Sequence, residues 1–171
     1  MRKKLVIIVM VILLLLIGTE GSYRFGLLPI VSDKEVIKVK SETQTHKEGD
    51  NFNVFEQYDF ANRNYSLYLV LSNEEATELD CSKVLFTSDV DILVRVKNAF
   101  TVTYTGGDVA TCESYIYLLK NDGIIAKMGI ALTETTGLQS GTFGWVEFAD
   151  EHKVLDCIKS MKRVYKPYVK I

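Results

Sequence analysis

The chain has 171 residues with 22 acidic and 20 Lys/Arg residues, a net charge of −2, and 47% apolar residues with only two prolines. That length and composition suit one folded domain and exclude a disordered or low-complexity chain. Glu42 to Glu151 holds eighteen acidic against seven basic residues, and Lys153 to Ile171 holds six basic against one acidic. An acidic body with a short basic tail is the reverse of a nucleic-acid-binding domain.

The first element is Leu5 to Ile17, thirteen unbroken apolar residues preceded by Arg2, Lys3 and Lys4. A basic start followed by a short apolar run describes a signal peptide or a signal-anchor. At about 1.5 Å per residue the run is short against a hydrocarbon core of about 30 Å. Snorkelling of Lys3 and Lys4 would extend it, and Tyr23 and Phe25 are candidate interfacial anchors. No A-x-A follows and Glu20 interrupts the small residues Gly18, Thr19, Gly21 and Ser22, which favours an uncleaved anchor over cleavage. The basic end then stays in the cytoplasm. The organisation expected is a membrane segment over 1–22, a linker with a possible first strand over 23–50, and an extracytoplasmic domain over 51–171. The location is the outer face of the inner (plasma) membrane, or the periplasm or exterior after cleavage.

Within 23–50, Glu35 to Val39 reads as a weak strand and Ser41 to Asn51 as a polar loop carrying His46. Phe52 to Tyr58 and Tyr65 to Leu71 alternate as strands, the second apolar on both sides as an inner strand is. Asn64-Tyr65-Ser66 is a glycosylation sequon, with meaning only in a eukaryotic secretory pathway. Ser72-Asn73-Glu74-Glu75 is a capping box opening a short helix to about Cys81. Glu74, Glu75, Glu78 and Asp80 give that helix an acidic face. They lack the spacing and central glycine of a calcium loop, so they stand either as a solvated face or as a docking surface for a basic partner.

Val90 to Val96 and Phe100 to Tyr104 both alternate around Lys97-Asn98-Ala99 and read as a hairpin, β-branching favouring strand over helix in the first half. Thr105 to Asp108 is a turn without a phosphate-loop pattern. Ser114 to Lys120 and Ile124 to Leu132 form the clearest hairpin, through Asn121-Asp122-Gly123 with Gly123 expected at positive φ. After a loop at Thr133 to Ser140, Thr142 to Phe148 completes a three-strand meander. Asp150 caps a last helix that carries Val154, Cys157, Ile158 and Met161 on one face, with Pro167 ending it. The architecture expected is α+β: an antiparallel sheet of about six strands packed against a C-terminal amphipathic helix, behind an N-terminal membrane segment.

Chemistry is sparse. The two histidines, His46 and His152, have no G-x-S-x-G elbow near them, and a Cys157–His152 pair would bury its thiol in the apolar stripe. The closest cysteines are 31 positions apart, so no zinc ligand pair is expected, and no cofactor motif follows a strand. Outside the cytoplasm, one disulfide is expected among Cys81, Cys112 and Cys157, with Cys81 and Cys112 favoured because both fall in loop-like sequence. A carboxylate pair such as Asp89 with Glu147 would need adjacent strands.

These residues point to a non-enzymatic binding domain for a protein partner, such as immunity-type neutralisation of a basic toxin or enzyme by acidic complementarity. The alternatives are a small-ligand sensor or carrier, using an aromatic sheet face around Trp145, Tyr115 and Tyr117, and an envelope hydrolase.

Overall fold

The structure is a computed structural model that describes residues 2–24, 30–31, 46–61, 64–106, 111–164 and 169–171. Helix α1 spans Arg2–Arg24, and every residue from Leu5 to Ile17 is 49 to 64% exposed. Thr19 closes the apolar stretch by turning its hydroxyl onto the carbonyls of Leu15 and Leu16, at 3.0 and 2.9 Å. Among the described residues no helix is long and apolar enough to cross a membrane. The expected strand at Glu35 to Val39 lies outside the described residues. A two-residue strand, β1 (Ile30–Val31), is described before it and pairs in parallel with the chain's last strand.

The body is α+β, as the sequence implies, but among the described residues its antiparallel sheet has nine strands rather than about six. In chain order the elements are β2 (Asn51–Asn53), β3 (Tyr65–Val70), α2 (Asn73–Glu78), β4 (Val84–Thr87), α3 (Val90–Ala99) and β5 (Thr101–Tyr104). Then come β6 (Ser114–Lys120), β7 (Gly123–Ala131), β8 (Gly137–Ser140), β9 (Gly144–Phe148), α4 (Glu151–Lys159), β10 (Lys162–Arg163) and β11 (Val169–Lys170). Strand order in the large sheet is β10-β4-β3-β6-β7-β8-β9-β5-β2.

Five local expectations change, the first being that the expected strand Phe52 to Tyr58 is only the three-residue β2, with a turn from Val54 on. Val90 to Ala99 is a helix, not the first arm of a hairpin. Leu93, Val96 and Ala99 are its buried residues, which is helical spacing. Asp89 caps it, accepting from the amides of Asp91 and Ile92 at 2.9 and 3.2 Å. In the β6–β7 hairpin the positive φ values fall on Asn121 (50°) and Asp122 (62°), and Lys120 pairs with Gly123. This is a two-residue turn with both central residues left-handed. The irregularity comes further along, where Leu118 pairs with Ala126 and Leu119 with Ile124, which leaves Ile125 as the extra residue of a bulge.

The meander has four strands, because Gly137–Ser140 pairs with both neighbours as β8. Helix α4 ends at Lys159, well before Pro167, because Lys162 and Arg163 leave it to pair with Phe86 and Leu85 as β10.

One face of the sheet packs against α3 and α4. Leu67, Leu69, Leu85, Ile116, Leu118, Ile130, Leu138 and Val146 meet Leu93, Val96, Val154 and Ile158 there. At one end of this core, Phe100 sits 5.3 Å from both the Phe55 and the Phe148 rings. The opposite face has its own smaller cluster, in which Val70, Val84, Tyr117, Leu119 and Ile124 pack with the terminal residues Val169 and Ile171. The cluster on the helix side is the larger of the two.

Candidate functional site

Of the four acidic residues expected on the surface of the α2 segment, Glu74, Glu78 and Asp80 are exposed and Glu75 is not. Ser72 caps α2 as expected, its hydroxyl accepting from the Glu75 amide at 3.1 Å. Glu75, however, turns inward and is 8% exposed. Its carboxylate accepts from the Ser114 hydroxyl and, at 2.7 Å, from the Leu132 amide. Ser114 in turn accepts from the Ser72 amide at 2.8 Å, the donor that a closed capping box would have used.

Glu74, Glu78 and Asp80 stay exposed, but cations stand among them. Lys83 donates to the Asn73 side chain at 3.2 Å, and Arg163 donates to the Asp80 carbonyl at 3.0 Å. The charge there is mixed rather than uniformly acidic.

Cys81, Cys112 and Cys157 are three free thiols, so the expected Cys81–Cys112 bridge is not formed. Cys81 turns back onto its own helix end, its Sγ 3.3 Å from the Leu79 carbonyl oxygen. Cys112 lies against β7, so close that a Cβ on Gly129 would fall 2.7 Å from its own. Burial pushes all three thiols up. Arg163 and Lys159 oppose the rise at Cys81, Arg95 opposes it at Cys157, and the Glu75 carboxylate adds to it at Cys112.

The two side-chain pairs weighed as catalytic, Cys157 with His152 and Asp89 with Glu147, do not assemble. His152 is exposed while Cys157 is buried. Asp89 follows β4, and four strands separate β4 from the β9 strand that bears Glu147. His46 is stacked flat on Phe52 at 3.9 Å, not loose in a polar loop. Among the described residues no group of His, Cys, Asp and Glu could hold a metal ion.

The sheet face away from the helices does present a site. Strand register places Phe86, Tyr68, Tyr117 and Lys127 side by side across β4, β3, β6 and β7. Paired residues point to the same side, so three rings form one ladder. Tyr68 and Phe86 are 4.6 Å apart, and Lys127 lies 4.4 Å above Tyr115 and 5.5 Å above Tyr117. Trp145 shares this face in the Tyr115 row, beyond Gly129 and Gln139. It is buried over Gly137, where a Cβ would meet its Cζ2 at 2.7 Å.

A cavity of about 600 Å³ opens at the end of the ladder. Tyr68 and Phe86 give it an aromatic lining, with Leu119 and Ile171 as apolar neighbours, while the Tyr65 ring packs on Tyr58 and Phe60 on the helix side. Its polar groups are Asn64, Ser66, Ser88, Asn121 and Asp122. The last two come from the left-handed turn between β6 and β7, and the Asn121 amide ties that turn to the Asn64 carbonyl at 3.0 Å. Burial first, and the Asp122 carboxylate second, push the Tyr68 phenol up, so it stays a neutral donor at neutral pH.

The sequence offered Tyr115, Tyr117 and Trp145 as an aromatic sheet face only in its alternative reading, and it missed the cavity. The available signal was the left-handed turn pair Asn121-Asp122 directly after an aromatic strand, which puts an amide and a carboxylate beside rings. In comparison with known proteins, no family model, curated protein or solved structure matches this chain.

Proposed function

We propose that this is a non-enzymatic binding domain, tethered outside the cytoplasmic membrane by α1, that holds a small ligand at the aromatic face of its sheet. The supporting observation is the cavity. Its volume of about 600 Å³ falls within the range of about 300–1,000 Å³ typical of small-molecule sites. It combines rings with convergent polar groups, as such sites do. The test is NMR titration of the full chain in polyoxyethylene micelles with phenol, glucose, acetate and tetramethylammonium. At least one should move the Tyr68 and Phe86 ring resonances, and Ser66→Trp, which fills the cavity, should abolish the shift. If none does, the ligand reading is wrong.

Tethering is argued from α1. Thirteen apolar side chains, each about half open, carry on the order of 15 kcal/mol of unrealised burial at about 2 kcal/mol per full side chain. A bare helix in water forgoes all of it, and a bilayer supplies it. The Thr19 hydroxyl, already bonded within the helix, adds no unpaired donor in lipid. A segment this short is accommodated by local thinning and by a snorkelling Lys4. Cysteine labelling from outside intact cells should reach Ser140→Cys and not Met1→Cys, and the mature mass should retain residues 1–22. Loss of those residues would select the cleaved-signal alternative, and labelling of neither site would refute export.

A second reading, capture of a basic protein partner, draws on the exposed Glu74, Glu78 and Asp80. Recovery of the same partners at low and high salt would exclude it.

A further inference from the structure

We infer that the sheet face away from the helices docks on the bilayer surface that α1 enters. Lys127 and Lys162 meet anionic lipid headgroups there, and the Tyr68 and Phe86 rings lie at the interface between them. This goes beyond the ligand reading and rests on the reading of α1 as a membrane tether.

Two independent observations carry it. The first is where the tether attaches. Five residues separate Arg24, the end of α1, from Ile30, the start of β1, a reach of at most about 20 Å. β1 pairs in parallel with β11, Ile30 against Val169 and Val31 against Lys170. Val169 and Ile171 in turn pack on Val70, Val84, Tyr117, Leu119 and Ile124, on the sheet face away from the helices. The reach is well under the breadth of a domain whose radius of gyration is about 15 Å, so the face that carries β1 is held toward the lipid.

The second is what that face presents. Strand register aligns Lys162, Phe86, Tyr68, Tyr117 and Lys127 across β10, β4, β3, β6 and β7, and paired residues point to the same side. Lys162 and Lys127 are exposed, and Phe86 and Tyr68 are half-buried between them. At about 4.8 Å per strand, the strands that bear the two lysines stand about 19 Å apart, so the two cations reach separate headgroups. Tyrosine rings and lysines with long apolar stems settle at a membrane–water interface, and lysine charges are attracted to anionic headgroups within a Debye length. The Asp122 carboxylate lies beyond the row, in the β6–β7 turn.

The other face has neither feature. α3 and α4 cover it, and neither contains a Phe, Tyr or Trp. Their exposed acids Asp91, Glu151 and Asp156 are balanced by the exposed cations Arg95, Lys153 and Lys159.

The experiment places the full chain in nanodiscs of equimolar phosphatidylglycerol and phosphatidylcholine, with a gadolinium chelate on a fraction of the headgroups. NMR broadening of the Phe86, Lys127 and Lys162 amides should exceed that of Asp91, Arg95 and Lys153 several-fold. The difference should shrink in discs of phosphatidylcholine alone, and as salt rises from about 0.05 to 0.5 M. Lys127→Glu combined with Lys162→Glu should remove it, whereas Arg95→Glu should leave it. All three side chains are exposed, so these variants keep the fold. Equal broadening of the two faces, or none on either while the chain stays with the discs, overturns the docking and leaves the tether standing. An equal difference in the two lipid compositions overturns the anionic assignment. A chain that does not co-purify with the discs overturns the tether reading itself.

Discussion

Glu75 joins three stretches of chain through one carboxylate. It caps nothing in its own helix. It accepts from Ser114 at the start of β6 and from the Leu132 amide just after β7, while Ser114 satisfies Ser72. Removing a charged acceptor from buried donors costs about 1–3 kcal/mol per group left unpaired. Glu75→Ala should therefore lower stability by about 2–4 kcal/mol in chemical denaturation, and Glu74→Ala or Glu78→Ala by less than about 0.5 kcal/mol. Equal losses at the three positions would mean that the inward network contributes nothing.

The sequence pattern correctly identified Ser72 as the cap but assigned Glu75 the wrong partner, because the competing donors lie 39 and 57 residues away. Gly137 is a second residue of this kind. A Cβ there would lie 2.2 Å from the Val146 carbonyl oxygen and 2.7 Å from Trp145. The obstacle is backbone, which cannot step aside, so Gly137→Ala should cost about 1–3 kcal/mol as overpacking does. A neutral result would refute that close approach.

At the scale of elements, alternation was a reliable guide where both faces of a strand are covered and misleading where a helix is rich in β-branched residues. Tyr65–Val70 and Ser114–Lys120 lie in the middle of the sheet, and the expected strands are the observed ones. Val90, Ile92, Val94 and Val96 alternate just as well, yet only Val96 of these four is buried, and Val94 is 38% exposed. The deciding feature was Asp89, whose side chain supplies the first helical amides with an acceptor. Asp89→Ala should thus cost about 1 kcal/mol, visible as a lowered denaturation midpoint with an unchanged slope. An unaffected midpoint would show that tertiary packing alone holds α3. The short strands β4, β8 and β10 were illegible for a different reason. Two to four residues carry too little periodicity, and the long strands beside them create their pairing.

At the scale of the whole molecule, the groups whose titration is displaced by burial mostly lean one way. The thiols of Cys81, Cys112 and Cys157 and the phenols of Tyr58, Tyr68 and Tyr117 are all pushed up, with burial the first cause in each case. Their ordinary values are 9.0 for the thiols and 10.0 for the phenols. Well below pH 9 each group is protonated in both folded and unfolded chains, and pH does not change its contribution.

As pH rises past those ordinary values, the unfolded chain ionises first while the folded chain holds its protons. The unfolded chain then binds fewer protons, so stability falls with pH. Lys83 runs the opposite way. Burial lowers it from 10.5, so the unfolded chain retains its proton longer, which adds stability as pH rises. One half-exposed lysine does not offset six groups. The denaturation midpoint should hold level between about pH 7 and 8.5 and drop progressively from about pH 9 to 11. Over the same range the thiols should react with iodoacetamide far more slowly in the folded chain than in denaturant, since the thiolate is the reactive form. A midpoint at pH 10.5 equal to that at pH 7.5, with thiols alkylated at the unfolded rate, would mean that these side chains are not shielded as the two-faced sheet requires.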